Sequence, residues 1–289
     1  MSGPMLPHGT FAGRTILVTG GGTGLGLSMG GAFLELGAKL VICGRRADVV
    51  EKAAAEMSAA TGGEVLAVRC DVRDPEAVEA LLAAAVARFG RVHAVVNNAA
   101  GNFICPTERL TTNAFHTVVD IVLKGTINCT LAFGKRWIAE KTPGVFLNIC
   151  TTYAETGSGY VVPSSVAKAG VLNLTRSLAS EWGKYGIRLN AIAPGPFPTE
   201  GAWSRLMPPE IAGLYDVKAR IPAARVGEHR ELADLAAYLI SDYAAYISGS
   251  CVTIDGGETV RSAGTFNYLE GLPAATWDEL QARMKPKKP

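Results

Sequence analysis

Lys168 stands in a helix-forming stretch, and the residue four before it, one helical turn back, is Ser164. Two tyrosines, Tyr153 and Tyr160, lie upstream, neither at helical spacing from the lysine. A lysine with hydroxyls near it in the sequence is equipment for giving hydrogen bonds, and a proton, to a substrate oxygen, because a phenol keeps its proton at neutral pH. The spacing leaves open which hydroxyl acts. Far upstream, "VTGGGTGLG" over residues 18–26 supplies a second kind of chemistry. Glycines there let a backbone turn tightly and approach a pyrophosphate, and a helix amino terminus beyond them presents free N–H groups to it. Gly20, Gly21, Gly22, Thr23, Gly24, Leu25 and Gly26 are therefore expected to hold a dinucleotide. Their spacing, G-x-x-x-G-x-G, differs from the more familiar G-x-G-x-x-G, so the motif gains its meaning from context.

That context is a chain of β-branched runs alternating with helical stretches. "TILVT" (15–19), "KLVICG" (39–44), "EVLAVRC" (64–70), "HAVVNNA" (93–99), "GVFLNICT" (144–151), "IRLNAIAP" (187–194) and "CVTIDGG" (251–257) read as strands. They are apolar throughout rather than alternating, so both faces are buried, as in a parallel sheet covered by helices. Helical stretches are expected between them, a long one from about Thr111 to Lys141 and another from Pro163 to Tyr185. Repeated βα units with right-handed crossovers give an α/β doubly wound parallel sheet of about seven strands with helices on both faces. The whole of 1–289 reads as one domain of the Rossmann type. Within it, residues 197–226 form a long insertion rich in Pro, Met, Trp and Leu at the carboxyl edge of the sheet, where a substrate lid would sit.

The end of the second strand bears on the choice of dinucleotide. An NAD site usually offers a carboxylate there to the ribose 2′-hydroxyl. Here the strand ends "CGRRAD", and guanidinium pairs with a 2′-phosphate where a carboxylate would repel it. Arg45 is the expected partner, with Arg46 beside it, and NADP(H) the expected cofactor. Asp71, after the third strand, suits an adenine contact and equally a helix cap before "PEAVEA".

Composition excludes several function classes. The 289 residues are 48% hydrophobic and 19% charged, with a net charge of +2. This is a globular composition with no electrostatic case for nucleic acid. Six scattered cysteines show no metal or disulfide spacing and read as reduced thiols, so no metal is expected. No apolar run approaches the roughly 18 residues of a membrane span. The first residues lack the pattern of a secretory or transit signal, and a cytoplasmic enzyme without a membrane partner is the expectation.

Taken together, "TGGGTGLG", "NNAAG" (97–101), Lys168, "PGPFPT" (194–199) and "IDGG" resemble the short-chain dehydrogenase/reductase family, over nearly the whole chain. The resemblance implies that Asn97 supports the cofactor turn and that Lys168 binds the nicotinamide ribose. It implies further that Pro194, Gly195, Pro196 and Phe197 line the nicotinamide, that Thr199 contacts phosphate or carboxamide, and that the enzyme is a homotetramer. The general family adds an Asn, a Ser and a Tyr to the Lys. Here Val122 in "DIVLKG" replaces the Asn, Thr151 the Ser, and Ser164 the Tyr.

"GGGTGLG", "NNAAGNF", "PTERL", "YAETGSG", "SVAKAG" and "EWGKYG" resemble one branch of that family, the mitochondrial-type 2,4-dienoyl-CoA reductases. The resemblance implies that Tyr153, at the end of the fifth strand, and Asn102 serve as catalytic donors with Ser164 and Lys168. It implies an acyl-CoA substrate contacted by Arg73, Phe103, Thr111 and Arg205, and NADPH-dependent reduction to a 3-enoyl-CoA in unsaturated fatty-acid degradation. Plainer roles stand beside these. Tyr153 would cap a strand edge, Asn102 would be a turn residue, Ser164 would cap or open a helix, and Arg73 and Arg205 would be solvated charges. Tyr160 reads as pocket wall or core. Two other functions also fit: a carbonyl or alcohol oxidoreductase using Tyr153 as acid, and a catalytically decayed NADP-binding regulatory protein.

Overall fold

The computed structural model describes residues 5–201, 206–207, 210 and 216–284. Seven strands form one parallel sheet in the order β3-β2-β1-β4-β5-β6-β7. They are β1 (Thr15–Thr19), β2 (Lys39–Gly44), β3 (Val65–Arg69), β4 (Ala94–Asn97), β5 (Gly144–Ile149), β6 (Ile187–Pro194) and β7 (Cys251–Ile254). The order reverses at β1, which neighbours both β2 and β4. A reversal of this kind leaves a crevice at the carboxyl edge, since the connections leave β1 and β4 toward opposite faces.

The unbroken apolar runs are explained by a core on each face. Along β1, Ile16 and Val18 enter one cluster while Leu17 enters the other. In β2, Leu40 and Ile42 join the first, and Val41 and Cys43 the second. Each fully buried Val, Leu, Ile or Phe contributes about 1.5–3 kcal/mol relative to exposure, so neither face tolerates a polar substitution cheaply. Helices α1 (Gly24–Glu35) and α2 (Ala47–Thr61) pack with the first cluster, and α3 (Pro75–Phe89) with the second. The second is anchored by aromatic contact between Trp137 and Phe146, whose ring centroids lie 4.6 Å apart.

The long helical stretch is α4 (Thr112–Val119), a single wide turn of π-helix (Asp120–Lys124) and α5 (Gly125–Ala139), continuous from Thr112 to Ala139. It corrects the reading of the sequence: an 18-residue window of it reaches a mean hydropathy of 1.2, enough by length and composition to cross a membrane. Half of that window is buried within the fold, and Val118, Val122, Cys129 and Phe133 from this stretch lie in the core clusters, so its apolarity is that of a core helix. After β5 come a four-residue helix α6 (Tyr153–Thr156) and the 21-residue α7 (Val162–Trp182). Further α-helices are α8 (His229–Ile240), α9 (Glu258–Ala263) and α10 (Ala274–Met284).

A polar rung crosses the apolar sheet. Asn97 and Asn148 lie in register on β4 and β5, and Asn97 Nδ2 donates to Asn148 Oδ1 at 2.9 Å. Asn148 Nδ2 in turn donates to Thr175 Oγ1 on α7 at 2.8 Å. All three residues are buried.

His93 precedes β4 and accepts the Thr15 N–H on its Nδ1 at 3.0 Å, which requires a neutral ring. Burial, with repulsion from Arg91 and Arg14, pushes the imidazole down from 6.5 to about 4. Between these values the unfolded chain takes up a proton that the native state refuses. Stability is therefore complete above pH 6.5 and falls as pH drops toward 4. We expect about 2 kcal/mol to be lost over that window at this group. Urea unfolding at pH 7 and pH 4.5 checks this, and His93→Gln should flatten the difference.

Candidate active site

A cleft of about 1770 Å³ opens at the carboxyl edge of the sheet. Its floor is the turn between β1 and α1. Gly20 adopts φ +65°, which favours glycine, and its N–H donates to the Cys43 carbonyl at 2.8 Å. Gly26 is required for space: a Cβ there would lie 2.4 Å from the Gly20 carbonyl oxygen and 2.6 Å from Asn98 Nδ2. The turn is thus folded back onto the first helical turn. Thr23 begins α1 without a side-chain cap, and the first turn carries no acidic residue. A helix opening uncapped into a cleft of this size fits a phosphate group.

Gly20, Gly22, Thr23, Gly24 and Leu25 line the cleft; Gly21 and Gly26 are buried behind it. Arg45 and Arg46 line it at the end of β2, together with Asp71. The Asp71 carboxylate is engaged by Arg73, which donates from Nη2 at 2.6 Å and from Nε at 3.0 Å. The Arg73 guanidinium holds this carboxyl below its ordinary value. The cap of α3 is not Asp71 but Asp74, whose side chain accepts the Glu76 N–H.

Asn97 requires a correction. Its side chain points along the buried polar rung and does not touch the turn. The support comes from Asn98, one residue on, which donates from Nδ2 to the Thr19 carbonyl at 2.9 Å and the Gly20 carbonyl at 3.3 Å. Thr19 Oγ1 reciprocates by accepting the N–H groups of Asn98 and Ala99, both at 3.0 Å. The sequence carried no signal for this, since "HAVVNNA" (93–99) reads as one strand; the structure ends β4 at Asn97 and leaves the Asn98 side chain to reach sideways.

The other side of the cleft holds the hydroxyls. Tyr153 is not at a strand end but opens α6, four residues beyond β5. Its hydroxyl receives the Asn102 Nδ2–H at 3.2 Å and lies 3.4 Å from Ser164 Oγ. Asn102 is itself oriented by accepting the Phe103 N–H on Oδ1 at 2.9 Å. Ser164 does not cap a helix; Val161 holds the cap position of α7, and Ser164 is buried in the first turn. Ser165 Oγ donates to the Tyr153 carbonyl at 3.2 Å, fixing α6 on α7. Tyr153, Asn102 and Ser164 all line the cleft.

Lys168 is 7% exposed and lines the same cleft, with its ammonium donating to the Ile149 carbonyl. Burial pushes its pKa down. Val122, where the general family carries Asn, is fully buried among Ala154, Ala167 and Val171. The helix that carries it widens into the π turn at that point, and wide turns of this kind often accompany functional sites.

Pro194, Gly195, Pro196, Phe197 and Thr199 close the cleft after β6. Three expected acyl contacts lie elsewhere among the described residues. Arg73 is paired with Asp71, Thr111 caps α4 by accepting the Ala114 N–H, and Phe103 packs against an apolar cluster. Arg205 lies outside the described residues. Tyr160 is neither pocket wall nor core: it is 64% exposed, at φ +65°, with its carbonyl accepting the Cys105 N–H. The cleft also takes in residues that sequence reasoning did not single out, among them Val49, Val50, Thr152 and Thr156.

A family model described as Enoyl-(Acyl carrier protein) reductase matches residues 20–259. An uncharacterized oxidoreductase of Caenorhabditis elegans is 48% identical, covering 96% of this chain and 90% of its own. A Bacillus subtilis protein named as a probable 2,4-dienoyl-CoA reductase producing the (2E)-enoyl-CoA is 45% identical, covering 85% of this chain and 96% of its own. A further C. elegans relative, named as a probable 2,4-dienoyl-CoA reductase producing the (3E)-enoyl-CoA, is 41% identical over 96% of this chain and 91% of its own. The chain belongs to the short-chain dehydrogenase/reductase family and is an oxidoreductase; the family's cofactor is a nicotinamide dinucleotide.

The turn generates a prediction. Gly26→Ala forces its new Cβ against the Gly20 carbonyl, an overpacking that costs about 1–3 kcal/mol and displaces α1 from the turn. Dinucleotide affinity should fall at least about tenfold, as read by fluorescence titration, while the circular dichroism spectrum retains its helical and strand signal.

Proposed function

We propose that this chain is an NADPH-dependent 2,4-dienoyl-CoA reductase, forming a 3-enoyl thioester in unsaturated fatty-acid degradation. One observation carries the reading: the Asn102 carboxamide and the Ser164 hydroxyl both meet the Tyr153 phenol, while the position one turn before Lys168 carries no phenol at all. A donor group assembled away from the usual site suits a substrate whose oxygen lies away from the carbon being reduced.

When bound, NADPH would supply the hydride. In a conjugated dienoyl thioester reduced at its far end, negative charge runs along the chain to the thioester oxygen. The Tyr153 hydroxyl and the Asn102 carboxamide are the donors for that oxygen, and such preorganised donors act on the charge as it develops. Ser164 takes the Tyr153 hydroxyl as neighbour and keeps it aimed into the cleft. Lys168, held by the Ile149 carbonyl, would turn its ammonium to the nicotinamide ribose. Because the donors gather at the carbonyl end, water at the adjacent α-carbon completes the product as the 3-enoyl isomer. Arg45 and Arg46, at the position where an NAD site offers a carboxylate, support NADPH over NADH.

Two measurements test this. Purified protein should consume NADPH with a 2,4-dienoyl-CoA and yield the 3-enoyl product by NMR, and Tyr153→Phe should lower kcat about 10²–10³-fold with cofactor affinity unchanged. Robust turnover of ketones with none of the dienoyl thioester would overturn the substrate; a 2-enoyl product would overturn the protonation site. Separately, Arg45→Ala should raise KM for NADPH about 10–100-fold, the loss of a charge-assisted contact, and leave KM for NADH nearly unchanged.

A further inference from the structure

His229, the first residue of α8, joins two parts of the cofactor wall that are remote in sequence. Its Nε2 lies 2.8 Å from the Pro198 carbonyl, and its Nδ1 lies 2.9 Å from Ser28 Oγ on α1. A carbonyl only accepts, so Nε2 carries the hydrogen; in the neutral ring Nδ1 is then bare and accepts the Ser28 hydroxyl. Ser28 Oγ also stands 3.2 Å from the Gly24 carbonyl, so its single hydrogen is shared between that carbonyl and His229 Nδ1, which places the contact in the first turn of α1.

The Pro196–Thr199 segment is gripped at a second point from the same side. The Gly227 N–H donates to the Pro196 carbonyl at 3.0 Å, and a Cβ on Gly227 would lie 2.3 Å from the Phe197 ring. The segment ends against α1 itself: a Cβ on Gly24 would lie 3.2 Å from Thr199 Cγ2. Gly24 and Thr199 both line the cleft. The contacts therefore close a ring, from Gly24 through Ser28 and His229 to Pro198 and Thr199 and back to Gly24.

We infer that His229 is a positioning residue for the dinucleotide. By holding the Pro198 carbonyl to α1, it sets Thr199 at the uncapped amino terminus where the phosphates would bind. It touches no reacting atom and acts through Pro198 and Ser28. Gly227 holds Pro196 independently and Thr199 keeps an interaction of its own, so removing the His229 contact frees the Pro198 carbonyl and loosens the placement of Thr199 without releasing the whole loop. The inference rests on the nicotinamide dinucleotide of the proposed function and not on the dienoyl substrate.

The test uses the full chain without substrate, titrated with NADPH and NADH by fluorescence, so the substrate assignment does not enter it. His229→Leu should weaken the preferred dinucleotide about tenfold, the effect of one lost hydrogen bond. His229→Gln, which keeps a donor at the reach of Nε2, should recover most of that affinity. His229→Asn, whose shorter side chain reaches Ser28 and not Pro198, should behave like His229→Leu. Unchanged affinity in His229→Leu would overturn the inference. So would equal affinities for His229→Gln and His229→Asn, or a lowered melting temperature in all three variants without a matching change in binding.

Discussion

Among the described residues every strand runs in the same direction, and the central strands of the sheet are buried on both faces. Those two conditions leave one place for chemistry. All seven carboxyl ends arrive at a single edge, and the connections that leave several of them line the cleft. The turn after β1, Asn98 after β4, Tyr153 after β5 and the Pro194–Thr199 segment after β6 are therefore brought together by strand polarity, although they are spread over most of the sequence.

The displaced phenol illustrates the point. Putting Tyr153 on α6 instead of α7 removes it from the helix that carries Lys168 and gives it two new neighbours, Asn102 and Ser164. The lysine no longer has a hydroxyphenyl group one turn away, and the position of the family's asparagine is filled by a valine buried in an apolar cluster. Its ammonium is instead stabilised by a main-chain carbonyl. In the proposed function, binding of the cofactor and donation to the substrate oxygen fall to separate side chains on separate elements.

Much of this was legible in the residues. Burial on both faces follows from apolar runs that lack alternation, and the glycine spacing marked the turn, whereas the strand order came only with the structure. Other features depended on tertiary contact and left little trace. Asn97 and Asn98 are identical in type, and the strand boundary decides which side chain faces the interior. Arg73 carries the charge expected of a phosphate contact, yet Asp71 two residues away claims it. The four-residue helix at Tyr153 is too short for periodicity to reveal, and the wide turn at Val122 has no sequence signature. His229 shows no metal or nucleophile spacing, because its partners are 201 and 31 residues distant.

The buried rung of Asn97, Asn148 and Thr175 has a further consequence. Its two asparagines each stand immediately before a residue that serves the cleft: Asn98, which braces the glycine turn, and Ile149, whose carbonyl receives Lys168. Sliding β4 past β5 by a single residue would strand amide groups in hydrocarbon, a penalty far above that of an apolar mismatch. The sheet thus contains an alignment key between β4 and β5, and it lies directly beneath the site. The two halves of the cleft inherit their relative height from that amide pair, so the precision of the pocket is set inside the sheet before any loop is placed.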